Sequence, residues 1–118
     1  MHVEVRKAED VVIVDLTGKL TAGLGDQILH DTIDELLVEN WKKILLNLSG
    51  ISFMDSAGVG ELVAGLRRAH RVGAAVKLLN AGSRVQSTLY IAKLLPIFEL
   101  YSDEGEALAG FGPGGTVH

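Results

Sequence analysis

The stretch "SFMDSAG" (residues 52–58) decides how this chain is organised. It follows the apolar run "KILLNLSGI" (43–51) and precedes "VGELVAGLRRAHRVG" (59–73), where apolar residues recur at helical spacing. This pattern predicts a buried strand over 44–48 that gives way to a helix beginning at Ser56. An acid and a hydroxyl therefore stand together at a helix entrance.

The same alternation of short apolar runs and helical stripes continues on both sides of this stretch. Further strands are predicted over 11–16, over 76–79 and within "IFELY" (97–101), with an antiparallel edge strand around Val3 and Val5. Further helices are predicted over 24–39 with a stop at Asn40, over 83–95 closed by Pro96, and after Asp103 with Glu106 as a capping pair. Strands that are apolar on both faces and alternate with helices indicate an α/β domain with a mixed, mainly parallel sheet and about four helices. We expect one domain over 1–110, with a flexible tail over 111–118.

The helix that follows "SFMDSAG" carries an apolar stripe of Val59, Leu62, Val63 and Leu66, and Gly73 ends it. We expect Val63 and Leu66 to face the sheet, because they share the stripe with Val59 and Leu62.

Composition excludes several classes of protein. The chain has 118 residues, a net charge of −4 and no cysteine, so disulfide and thiolate chemistry are excluded. Arginines are few and mixed with acids, which argues against direct nucleic-acid binding. The N-terminus lacks an apolar signal core, and no uncharged run approaches the ~20 residues that span a bilayer. We therefore expect a soluble cytoplasmic protein.

Asp55 and Ser56 allow two interpretations. In the first, they only cap the free amide groups at the start of the helix, and Ala57, Gly58 and Gly60 are small for close packing. In the second, the Ser56 hydroxyl is a site of modification. It lies at the carboxyl end of a parallel strand, where open α/β sheets expose their sites, and a helix N-terminus favours an added phosphate.

Other candidates are weaker. Arg67, Arg68 and Arg71 form either a solvated face or a contact for an acidic partner. The histidines show no metal-ligand spacing, so we expect no metal and no cofactor. The sequence "DSAG" does not match the nucleophile elbow G-x-S-x-G, and no Walker A pattern is present, so we expect a protein that is not an enzyme.

The segment "KILLNLSGISFMDSAGVGELV" (43–63) resembles the core of STAS domains, and in particular of bacterial anti-sigma factor antagonists. The segments "VVIVDLTGKLTA" (11–22) and "VKLLNAGSRVQSTLYIAKLLPIFELYSDEGEAL" (76–108) are similar to the flanking parts of that family. The resemblance covers roughly residues 3–109. Two departures stand out: Ala57 replaces a frequent second serine, and Thr21 replaces a frequent acid.

The resemblance implies a phosphorylation switch. In this family the serine after the motif aspartate, here Ser56, is phosphorylated by an anti-sigma factor that is also a serine kinase. The unmodified protein would bind that kinase and release a sigma factor, and a PP2C-like phosphatase would reset it. The implied partner-binding surface consists of Thr21, Asp55, Ser56, Ala57, Gly58 and Glu61. Thr21 is either a minor polar contact or a plain loop residue.

The resemblance also leaves an alternative. STAS domains serve as fixed subunits of larger assemblies, such as a stress-signalling complex or a lipid-transport ATPase. A single domain without a further module favours the antagonist. We expect a monomer or a weak dimer that does not contact a membrane.

Overall fold

A computed structural model describes residues 1–112 of the chain. The strands and helices follow in the order β1 His2–Ala8, β2 Val11–Leu20, α1 Gly25–Val38, β3 Lys43–Met54, α2 Ser56–Arg71, β4 Ala75–Leu79, α3 Ser83–Ile91, β5 Leu100–Tyr101 and α4 Glu104–Gly110. The sheet has the order β1-β2-β3-β4-β5. β1 pairs with β2 antiparallel, and all other neighbours pair in parallel. The predicted α/β class, with an antiparallel first strand, is confirmed.

Two apolar cores lie on the two faces of the sheet. The larger core joins β2, β3 and β4 to α1, α2 and α3, with Leu46, Leu29 and Leu62 among its fully buried members. The smaller core packs α4 against the opposite face through Ala107 and Phe111. Successive residues of a strand point to opposite faces, which explains why apolar runs rather than alternating ones mark these strands.

Two strands are longer than the sequence indicates. β2 extends to Leu20 and β3 to Met54, whereas strand ends near Leu16 and Leu48 were predicted. The extra residues pair with each other, with Leu20 opposite Met54, across two register shifts. This pairing satisfies the backbone groups of a polar, glycine-containing segment. As a result, β3 runs almost directly into Asp55.

The third helix is shorter than predicted. α3 ends at Ile91 instead of Leu95, because Lys93 adopts a left-handed conformation with φ of 62° that a helix does not accommodate. Pro96 then lies in a separate 3-10 turn, Leu95–Ile97. Of the predicted strand "IFELY", only Leu100–Tyr101 pairs with β4.

Several predicted helix ends are confirmed. Asn40 and Gly73 follow α1 and α2 with positive φ angles of 67° and 76°. Asp103 caps α4 by accepting a 2.9 Å hydrogen bond from the Glu106 amide. These ends depend on local backbone chemistry, which the sequence shows directly.

The orientation of α2 differs from the prediction. Leu62 and Val59 are buried, but Val63 and Leu66 are only partly buried at the border of the main core. The buried stripe instead continues through Ala69 at the far end of the helix. The helix is therefore rotated away from the side on which Val63 and Leu66 lie.

The sequence predicts that a flexible tail begins at Phe111. Phe111 is buried in the smaller core, and the rest of that prediction, residues 113–118, lies outside the described residues. None of the helices within residues 1–112 combines the length and the apolar character needed to cross a membrane.

Candidate functional site

The Asp55 carboxylate joins two loops at the carboxyl edge of the sheet. Asp55 is the N-cap of α2, and its Oδ1 accepts a 3.0 Å hydrogen bond from the Gly58 amide. Its Oδ2 accepts a second hydrogen bond of 3.0 Å from the Ala22 amide, in the loop between β2 and α1. One side chain thus fixes both the start of α2 and the preceding loop.

This arrangement favours the charged form of Asp55. Hydrogen bonds from the amides of Ala22 and Gly58 lower the pKa of the Asp55 carboxyl below its ordinary value. Amide donors at a helix N-terminus interact more strongly with a carboxylate than with a neutral acid. Asp55 therefore holds a negative charge next to Ser56.

Ser56 is the first residue of α2 and is exposed to solvent. Ala57 and Thr21 are half-buried. Ala57 follows Ser56 directly, and Thr21 precedes Ala22, whose amide donates to Asp55, so both lie beside Ser56. The Thr21 carbonyl accepts a 3.0 Å hydrogen bond from the Asp26 amide, which closes the turn into α1. The structure thus brings Thr21, Asp55, Ser56 and Ala57 together.

Two glycines of α2 have opposite surroundings. A Cβ atom at Gly58 would collide with the carbonyl oxygen of Leu20, so the start of α2 lies directly against the end of β2. A Cβ atom at Gly60 would meet nothing within 4 Å. Gly58, predicted in the partner surface, thus packs inward. The expected close packing is wrong for Gly60, which leaves open space one helical turn from Ser56.

Glu61 contacts α1 within the same molecule. Its Oε2 pairs with Arg68 at 3.0 Å, and its Oε1 lies 3.2 Å from Nδ1 of His30. Asp34 completes this cluster by binding both Arg68, at 2.8 Å, and His30, at 3.1 Å. The Glu61 side chain is only 13% exposed as a result. The carboxylate that was predicted to meet a partner is already paired.

The same cluster corrects the interpretation of the basic residues. Arg68 does not belong to a solvated face, because it crosses to Asp34 on α1 and is only 18% exposed. Arg67 and Arg71 are exposed, as predicted. The pairing depends on α1 lying beside α2, which the spacing of charges within one helix does not show.

Sequence reasoning missed two apolar side chains at this edge. Leu24, in the loop before α1, is 63% exposed, and Phe53, near the end of β3, is 45% exposed. Each belongs to a segment that leads to Ser56 or to the loop bound by Asp55. Their exposure depends on the length of β3 and on the loop conformation, neither of which the sequence predicted.

The described fold, with the Asp-Ser entrance of α2, defines a class of small α/β domains. The family model described as STAS domain matches residues 2–107. The match covers most of the chain, and the chain belongs to the STAS domain family. The family inferred from the sequence is therefore confirmed.

Curated relatives match over most of their length. A Thermotoga neapolitana protein, named as a candidate anti-sigma factor antagonist, is 33% identical over 100 residues, which is 85% of this chain and 88% of the relative. An anti-sigma F factor antagonist of Paenibacillus polymyxa is 24% identical over 108 residues and covers 92% of each chain.

Solved structures share the fold. The crystal structure of a candidate anti-sigma factor antagonist from Thermotoga maritima has a TM-score of 0.84, with 25% identity and 92% of each chain covered. SpoIIAA from Bacillus in its phosphorylated form has a TM-score of 0.72 at 22% identity, covering 93% of this chain and 99% of its own. SpoIIAA is described as an anti-sigma factor antagonist in the structure of its unphosphorylated form, which is similar to this chain with a TM-score of 0.69.

Proposed function

We propose that this protein is an anti-sigma factor antagonist, and that phosphorylation of Ser56 switches its binding off. The unmodified protein binds an anti-sigma factor that is a serine kinase and thereby releases a sigma factor. A PP2C-like phosphatase restores the binding form. The observation that carries the proposal is an exposed Ser56 hydroxyl at the first position of α2, in a domain whose curated relatives are named as antagonists.

The surroundings of Ser56 suit a reversible charge switch. A phosphate there would add roughly −1.5 to −2 charges near neutral pH. The α2 dipole stabilises this charge by about 0.3–1 kcal/mol, whereas repulsion from the ionised Asp55 destabilises it. The isolated domain therefore accepts the phosphate, but an interface that buries it beside Asp55 loses several kcal/mol. SpoIIAA, which shares the fold, has been solved in a phosphorylated form.

The side chains around Ser56 fit a protein partner better than a small molecule. Gly60 leaves the face of α2 open, so a partner backbone can approach closely. Leu24 and Phe53 expose apolar surface at the same edge of the sheet. Exposed aromatic and apolar side chains are typical of the central part of protein interfaces. Glu61 pairs with Arg68 within the same molecule.

The test is transfer of phosphate combined with binding. The partner that the protein captures from native cell extract is isolated and incubated with wild type, Ser56→Ala and Ser56→Asp in the presence of ATP. Mass spectrometry should locate the phosphate on Ser56 in the wild type only. Ser56→Ala should bind the kinase like the unmodified protein, and Ser56→Asp should bind at least tenfold more weakly, or 1.4 kcal/mol.

Ser52 provides a matched control, because it is an exposed serine on the neighbouring β3 and not at the start of α2. Ser52→Ala and Ser52→Asp should behave like the wild type in both assays. Phosphate on Ser49, Ser52 or Thr21 would contradict the proposal, as would equal affinity of all Ser56 variants. Recovery of the protein in a stable multi-subunit complex would instead support the assembly alternative.

A further inference from the structure

A second surface of α2 lies outside the Ser56 site. A groove of about 560 Å³ runs between the C-terminal half of α2 and the segment that joins β4 to β5. Its apolar lining comes from Leu66, Val76 and Ile97, of which Ile97 is 44% exposed. Three basic side chains, Arg67, His70 and Arg71, also line it.

The basic side chains of this groove have no partner within the described part of the chain. Arg67, His70 and Arg71 make no side-chain hydrogen bond or ion pair with residues 1–112. Their helix neighbour Arg68, by contrast, is bound by two carboxylates. The single acid in the groove, Glu99, is already paired with Lys77 at 2.7 Å. The groove is therefore a locally cationic surface on a protein with a net charge of −4.

The arginines also share a helix face with Ser56. Ser56, Gly60, Ala64, Arg67 and Arg71 follow one another at spacings of four, four, three and four residues, which places them on one side of α2. The groove is thus continuous with the surface on which the proposed partner approaches. A partner that covers this face would reach the unpaired arginines.

We infer that this groove binds an acidic amphipathic segment of a protein partner. Apolar side chains of the segment lie on Leu66 and Ile97, and its carboxylates pair with Arg67 and Arg71. An amphipathic helix meets both requirements, because apolar residues and acids alternate at helical spacing. The inference rests on the proposed function only for the identity of the protein that carries the segment.

The test uses the intact protein and a synthetic probe. The probe is a peptide of about 18 residues, long enough to form a helix, with a leucine stripe flanked by glutamates. Nuclear magnetic resonance titration of the ¹⁵N-labelled protein should shift the amides of Leu66, His70 and Ile97. Arg67→Gln/Arg71→Gln should weaken binding about tenfold, since two rim ion pairs are lost. Added salt should reduce the affinity of the wild type more than that of this variant.

A matched control removes two other exposed cations. Arg84→Gln/Lys93→Gln makes the same change in net charge away from the groove and should alter the affinity less than twofold. Thermal unfolding of both double variants shows whether Arg67 and Arg71 act only as stabilising charges at the end of α2. The peptide titration uses neither the kinase nor ATP, so failure of the phosphorylation switch is distinguishable from failure of this inference.

Three results would overturn the inference. The first is equal binding of a peptide with lysines in place of the glutamates. The second is unchanged affinity of Arg67→Gln/Arg71→Gln. The third is a concentration-dependent shift of the groove amides without peptide, accompanied by dimer in sedimentation, which would assign the groove to a second copy of this chain.

Discussion

The Asp55 carboxylate and the Ala22 amide, 33 residues apart in sequence, are joined by a hydrogen bond of 3.0 Å. This bond connects the loop before α1 to the start of α2, so the two loops that flank Ser56 are held as one unit. A partner that recognises Ser56 therefore meets a preformed surface. The bond explains why an aspartate, and not only a capping serine, is useful at position 55: it has two oxygens for two donors.

The first prediction concerns this double role of Asp55. Asp55→Ala should lower the thermal midpoint and expose the amides of Ala22 and Gly58 to faster hydrogen exchange. Asp55→Asn should lower the thermal midpoint less, because the single carbonyl oxygen of asparagine still caps α2. Asp31, an exposed acid on α1, supplies the control variant Asp31→Ala. Unchanged exchange at Ala22 in Asp55→Ala would show that the loop is fixed by other contacts.

The second prediction concerns acid. Hydrogen bonding to Arg6 lowers the pKa of the Asp15 carboxyl below its ordinary value of 3.8, and amide donors lower the pKa of Asp55. The unfolded state therefore binds more protons than the folded state in this range, so stability falls as the pH decreases through the folded pKa values. Urea unfolding should show nearly constant stability from neutral pH down to about 5, followed by a decline.

Asp15→Asn isolates one part of that acid dependence. It removes the carboxylate that Arg6 binds, so the decline below pH 4 should be shallower than in the wild type. Glu39→Gln, at an exposed position after α1, is the control and should leave the profile unchanged. A profile of Asp15→Asn that parallels the wild type at every pH would contradict the role of the Arg6 pair.

The sequence predicts helix ends that are marked by capping or left-handed residues better than it predicts the length of strands. Asp55, Asn40 and Gly73 mark helix ends because capping and left-handed backbone depend on a few adjacent residues. The last six residues of β3 resemble a loop in composition and form a strand only because β2 lies beside them in register. Local patterns do not contain that information.

The site shows the same division. Ser56 and Asp55 were identified from the motif and its position at the helix entrance, and they lie together in the structure. The motif does not predict the pairing of Glu61 and Arg68 with α1, because that pairing requires the packing of two helices. The rotation of α2 was also missed, since a stripe with four apolar members allows more than one orientation.

The third prediction tests that rotation. Leu62 is 1% exposed in the main core, whereas Leu66 lies half-buried at its border. Leu62→Ala should therefore lower the free energy of unfolding by about 2–5 kcal/mol, and Leu66→Ala by about half as much or less. Urea unfolding of the two variants is the measurement. An equal or larger loss for Leu66→Ala would mean that α2 faces the sheet through Leu66.

The fourth prediction compares two glycines of the same helix. Gly58→Ala adds a Cβ atom against the Leu20 carbonyl and should cost about 1–3 kcal/mol. Gly60→Ala meets no atom within 4 Å and should stabilise the protein by about 0.5–1 kcal/mol, because alanine favours the helix. The measurement is the free energy of unfolding of both variants by chemical denaturation. Destabilisation by Gly60→Ala would show that this position is not open in solution.

The last prediction concerns the ion-pair cluster that supports the site. Arg68→Met removes both nitrogen donors from Glu61 and Asp34 and should lower the free energy of unfolding by about 1–3 kcal/mol, since the Glu61 side chain is only 13% exposed. Glu61→Gln keeps the shape and removes the charge. In the double variant Glu61→Gln/Arg68→Met the two losses should not add, because no carboxylate is left unpaired at position 61; a coupling of about 0.5–3 kcal/mol is expected.

Arg67→Met, one residue away and exposed, is the control and should change stability by less than about 0.5 kcal/mol. Full additivity of the two substitutions would show that Glu61 is free in solution, and therefore available to a partner as the sequence first indicated.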